Sequence, residues 1–268
     1  MHRIRQTNFI KKCIPELRKR NATYVTLIDT DEFVLPSYTS WYFFNVTRQV
    51  PRYEPGNVLR LLKYHEQITG TQNPCLYMPR YFFGAQESPK EKLQKFVPVP
   101  VDAQSFITQR FIYREPKING NGKNLINMKL VPKIEKFDSV HKITSVCPEL
   151  KDMWKLNQNH HSIVRVHHYL GTTEQHFFRD DPREHNRQNA TNGNETEVGS
   201  GVTTPKKGRK YKKPATYLVR GMERYERLNK AATHEDHGML GWLFGFVKAV
   251  GWETAKELLE GVGVVGVE

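Results

Sequence analysis

A chain of 268 residues and 31.3 kDa, 38% hydrophobic and 11% aromatic, can bury a substantial core and is too apolar for an intrinsically disordered protein. Its formal net charge of +13 favours anionic partners: nucleotides, nucleic acid, acidic glycans or a membrane surface. No apolar run reaches the ~18 residues of a membrane span, and Met1 leads into His2, Arg3 and Arg5 rather than a signal-peptide core.

Residues 3 to 20 are expected to form a helix, with Ile4, Phe9, Ile10, Cys13, Ile14 and Leu17 on one face. Pro15 predicts a kink or a restart. Tyr24 to Ile28 is a β-branched strand that runs straight into Asp29, Asp31 and Glu32. Period-2 alternation would put Val25, Leu27, Asp29 and Asp31 on one side, so two carboxylates share the side that the apolar residues bury. Like charges placed there need a positive neighbour. A divalent cation with hard oxygen ligands, Mn²⁺ or Mg²⁺, is the expected one. The competing reading is an acidic turn in which Asp29 or Asp31 bonds local backbone amides.

From Ser37 to Pro55 the chain is aromatic, with Trp41, Tyr42, Phe43, Phe44 and Tyr53, a composition that suits core more than sugar stacking. Val58 to Ile68 predicts a short helix, Cys75 to Gly84 a strand closing on glycine, and Phe106 to Glu115 another strand. Ile118 to Lys123 holds two Asn-Gly steps and predicts a hairpin turn, because the spacing of a phosphate-binding loop is absent. Ser162 to Leu170 predicts a strand with Val164, Val166, His168 and Leu170 on one face, and Ile163, Arg165 and His167 on the other. Glu184 to Thr216 is polar and low in complexity, with six positive charges between Lys206 and Lys213, and is expected to be a disordered loop. A helix follows at Tyr217 to Lys230. His234-Glu235-Asp236-His237 would then open the last helices, which include Glu253 to Glu260 and end in a glycine-rich tail.

Cys13, Cys75 and Cys147 contain no Cys-x-x-Cys pair, which excludes zinc-ribbon and thioredoxin-type sites; one disulfide plus a free thiol, or three buried thiols, both fit. Sequons begin at Asn21, Asn45, Asn189 and Asn194 and favour a secretory lumen.

Tyr24-Val25-Thr26-Leu27-Ile28-Asp29-Thr30-Asp31-Glu32-Phe33 resembles the Asp-x-Asp region of glycosyltransferase family 92 and its GT-A-fold relatives. Further patches of resemblance lie at Tyr81-Phe82-Phe83-Gly84, in the run from Lys123 to His141, and at His167-His168-Tyr169 with Thr173-Glu174, Arg179 and Arg183. The resemblance implies an α/β, Rossmann-like GT-A core, partial over residues 1–183 because only 28 residues precede Asp29. A basic loop over 184–216 and a C-terminal helical segment over 217–268 would follow. It also implies a metal-dependent transferase of Golgi or secretory-pathway membranes, moving a sugar from a nucleotide-diphosphate sugar to a glycan hydroxyl. In that reading Asp29, Asp31 and His168 hold the metal, with His141 as the alternative third ligand. Asp29, Arg179 and Arg183 bind the donor, and Glu174 or Asp236 is the general base. Two rival classes are an inactive carbohydrate-binding or scaffolding remnant of that fold, and a basic nucleic-acid-binding protein using Lys206 to Lys213.

Overall fold

The computed structural model describes residues 2–37, 53–70, 72–98, 101–131, 147, 162–172 and 214–261. Helix α1 (His2–Lys19) runs unbroken through Pro15, which is exposed, so the expected restart does not occur. It leads into β1 (Tyr24–Thr26) and then, after a turn, β2 (Glu32–Pro36). Helix α2 (Asn57–Thr69) precedes β3 (Cys75–Phe83), the strand about which the sheet is assembled. Helical turns α3 (Lys90–Leu93) and α4 (Ile107–Arg110) lie before β4 (Tyr113–Arg114) and β5 (Asn119–Asn127). The described chain continues with β6 (Val164–Tyr169), α5 (Pro214–Ala231), β7 (His234–Glu235), α6 (Trp242–Val250) and α7 (Trp252–Gly261).

Among the described residues, seven strands share one sheet. On one edge β3 pairs antiparallel with β5 and, at Phe83, with β4; on its other edge Arg80 to Phe83 run parallel to Val166 to Tyr169 of β6. Strand β2 closes on β6, β1 on β5 and β7 on β4, all antiparallel. The sheet is therefore open and mostly antiparallel, which overturns the expected Rossmann-like GT-A core. A helix followed by a strand looks like half of a parallel βα unit, but β1 turns out to lie antiparallel to β5, so no such unit forms.

Alternation along the paired strands gives the sheet two differently furnished faces. Leu61 and Leu62 of α2 cover one face through Met78, Leu125, Val164 and Val166. On the other, Ile10 and Ile14 of α1 pack against Val25, Ile126 and the Cys75–Cys147 disulfide, which joins positions 72 residues apart and leaves Cys13 free. The turn before α6 adds Leu240, and α6 and α7 add Leu243 and Leu259, to a cluster with Leu93, Val97 and Ile112.

Two local expectations fail for stated reasons. Phe106 to Glu115 is a strand only at Tyr113–Arg114, because its first half closes into the helical turn α4, with Phe111 N–H donating to Ile107 O. The Asn-Gly steps at 119–122 lie inside β5 rather than in a hairpin turn. Opposite them the ladder shifts register between Met78 and Arg80, the bulge that strand glycines commonly mark. At Gly122 a Cβ would collide with the Met78 carbonyl oxygen and the Tyr77 ring. Gly122→Ala is expected to cost about 1–3 kcal/mol, the range for overpacking a fitted site, read as a fall in denaturant midpoint with unchanged slope.

Candidate functional site

The acidic stretch is a turn between two strands. β1 ends at Thr26, and Glu32 N–H donates to Asp29 O at 3.1 Å just as β2 begins. Asp29 N–H in turn donates to Glu32 Oε2 at 2.9 Å, so the chain folds over the Glu32 carboxylate. The expected sharing of one strand side by Asp29 and Asp31 is corrected: the tight turn removes both from the pleat.

Glu32 is the buried acid of the group, with a side chain fully out of solvent. Its register partner is His168, which sets it on the face carrying Met78, Arg80 and Phe82. There Arg80 Nη1 donates to Oε1 at 3.0 Å, and Lys123 Nζ lies 2.9 Å from Oε2. Lys123, itself 0% exposed, also donates to Asp29 Oδ2 at 3.1 Å. Two cations thus neutralise two carboxylates, each contact a charge-assisted hydrogen bond or ion pair that offsets the cost of burial.

This arrangement overturns the expected Mn²⁺ or Mg²⁺. Lys123 places its ammonium between Asp29 and Glu32, where a divalent ion would have balanced the carboxylates. Among the described residues, no group of three or more His, Cys, Asp or Glu could hold a metal ion. Of the three expected ligands, Asp31 and His168 do meet, with His168 Nε2 3.4 Å from Asp31 Oδ2, whereas Asp29 is turned to Lys123. The imidazole Nδ1 faces Glu32 Oε1 at 3.5 Å, and the ring rests on Phe82 with centroids 4.7 Å apart. Side-chain exposure is 29% for Asp31 and 17% for His168, so this pair reaches solvent from a buried, charge-balanced floor. A carboxylate and an imidazole so placed can orient one another and exchange a proton with a hydroxyl.

The opposite face of β6 carries a second charged group. His167 and Arg165 alternate with His168 and point to the side occupied by Tyr81, Phe83 and Tyr169. Asp236 joins them from beyond β7, anchored by its N–H donating to Ile112 O at 2.8 Å. It does not start a helix, as expected from its neighbours; α6 begins only at Trp242. Its carboxylate is 6% exposed and accepts from Arg114 Nε at 2.7 Å, Arg165 Nη2 at 2.8 Å and Gly238 N–H at 2.9 Å. With both oxygens engaged, Asp236 ties the C-terminal segment to the sheet. Burial is the largest single influence and would raise its pKa, but Arg165, neighbouring His167 and the Arg114 hydrogen bond and charge together outweigh it and hold the carboxyl well below the usual range. His167, fully buried and beside Arg165, is held well below the ordinary imidazole value and stays neutral at neutral pH.

His141, Thr173, Glu174, Arg179 and Arg183 lie outside the described residues. Among the described residues no helix is long and apolar enough to cross a membrane, so the membrane association implied by the resemblance finds no span here. Lys123, Arg80, Arg114 and Arg165 carry the site's charge balance and were missed in the sequence. The signal was present for Arg80 and Arg165, lone cations inside runs otherwise apolar enough to be buried. Comparison of the chain with family models, curated proteins and solved structures returned no match.

Lys123→Met, which leaves Glu32 buried with one cation fewer, is expected to lose about 3–5 kcal/mol in chemical denaturation, and adding Glu32→Gln should return part of that loss. The opposite face sets an acid limb. Below pH 6.5 an unfolded imidazole takes up the proton that buried His167 refuses, so stability falls with pH; below 3.8 the unfolded Asp236 carboxyl adds to the loss. Denaturation across pH should show a shallower first limb in His167→Gln and a shallower second limb in Asp236→Asn.

Proposed function

We propose that the chain takes part in glycosyl transfer from a nucleotide-diphosphate sugar, with its charges balanced by fixed lysine and arginine side chains rather than by a resident divalent ion. The observation that carries this reading is the Asp31–His168 pair, partly open to solvent above the buried Glu32–Arg80–Lys123 group. The resemblance of Tyr24 to Phe33 supplies the substrate class. Asp31 is the group that takes the acceptor proton. The acceptor oxygen bonds to the anomeric carbon, the bond from that carbon to the diphosphate breaks, and the nucleotide diphosphate leaves with the electron pair. His168 steers the Asp31 carboxylate from its Nε2 side, and Glu32 faces the other ring nitrogen. Lys123 and Arg80 touch no substrate in this scheme. Their role is to cancel Glu32 and Asp29, so that an anionic donor is not repelled from the turn.

A metal-free site makes a clear demand on experiment. Thermal unfolding of the full chain with a panel of nucleotide diphosphates and nucleotide sugars, in excess chelator, is expected to show stabilisation by at least one of them. At 100 times its dissociation constant such a ligand adds about 2.7 kcal/mol. Asp31→Asn should keep the cooperative melt and the ligand-induced rise, while donor turnover drops at least ~100-fold, the scale of a lost general base. A cooperative melt that no nucleotide moves would overturn the reading and leave the carbohydrate-binding or scaffold alternative.

A further inference from the structure

We propose that Asn21 is an N-glycosylation site of this protein, an assignment independent of the transfer chemistry above. The sequence Asn21-Ala22-Thr23 meets the acceptor pattern, with a hydroxyl residue two positions on and no proline between. The fold adds what the pattern alone lacks. Asn21 is exposed and has φ 55°, a left-handed conformation that asparagine tolerates better than most residues. It closes α1: Asn21 N–H donates to Arg18 O at 2.9 Å, and Ala22 N–H donates to Leu17 O at 3.0 Å, the paired bonds of a Schellman cap. Those bonds use only backbone atoms, so the side-chain amide is not needed to end the helix and can carry a substituent without loss of the cap.

A second, separate observation points to the same compartment. Cys75 and Cys147 are buried together and bonded as a disulfide, while Cys13 remains a free thiol. Disulfides persist in the oxidising lumen of the secretory pathway, where asparagine-linked glycans are also attached. In the transfer, the Asn21 amide nitrogen bonds to the anomeric carbon of a polyprenyl-diphosphate-linked oligosaccharide. The bond from that carbon to the diphosphate breaks with its electron pair, and the amide proton leaves with the departing polyprenyl diphosphate.

The test is to secrete the full chain from eukaryotic cells behind a cleavable leader and to map its peptides after amide-cleaving glycosidase treatment in ¹⁸O-water. The Asn21 peptide is expected to return as ¹⁸O-labelled aspartate, to lose the label in Thr23→Ala and to keep it in Thr23→Ser. Peptides holding Asn45, Asn189 and Asn194 are scored separately. Alkylation of the denatured, unreduced protein is expected to label Cys13 and to spare Cys75 and Cys147. An unlabelled Asn21 peptide in the secreted protein would overturn the site, and alkylation of all three cysteines would remove the compartment argument on which it also rests. Because the wild-type peptide is decisive by itself, a variant that fails to be secreted does not obscure the result.

Discussion

A carboxylate buried beneath a turn needs its charge cancelled from within the fold, and Glu32 is that carboxylate. Its two oxygens draw Arg80 from β3 and Lys123 from β5, and its backbone pairs with His168 of β6. Three strands far apart in sequence are thereby fixed around one acid. Removing either cation would leave a charge in a region of low dielectric, where the cost is several times that of a surface ion pair. The partly open Asp31–His168 pair depends on the same arrangement. His168 reaches Asp31 only because the ladder registers it against Glu32, and Arg80 and Lys123 offset the cost of burying the Glu32 side chain.

The sheet uses its two faces for different purposes. On the Glu32 face the charged group opens to solvent through Asp31 and His168, beside the aliphatic layer of α2. On the far face Asp236, Arg114 and Arg165 are closed in by Tyr81 and Tyr169, with Arg114 lying 4.3 Å over the Tyr81 ring. Desolvation pushes the Tyr169 hydroxyl well above its ordinary pKa, and neighbouring Asp236 pushes the same way, so the phenol stays protonated. The far face therefore fastens the C-terminal segment to the sheet, and the near face is the one whose charged group reaches solvent.

Much of the framework was legible in the chain. The strand at Ser162 to Leu170 has the expected alternation, α2 and β3 fall near their expected bounds, and the acid-rich turn does require a positive partner. What the local pattern could not supply was the identity of that partner. Lys123 lies 94 positions from Asp29, and no periodicity within a short window reports a contact at that separation. The Asn-Gly steps misled for a related reason. Two glycines suit a turn, yet they also suit a strand whose neighbour passes too close for a side chain. Asp236 was misread because an acid before an apolar run resembles a helix start, while two arginines from β4 and β6 had the stronger claim on it.

His167 and His168 are consecutive, and that adjacency limits how this strand can change over time. Substitution at either position alters one face alone. Losing or gaining a single codon within β6, however, would exchange the two imidazoles, sending Arg165 towards the aliphatic layer and a valine towards Asp236. Length variation in this part of the gene is therefore expected to collect outside residues 164–169, whatever tolerance the individual positions show.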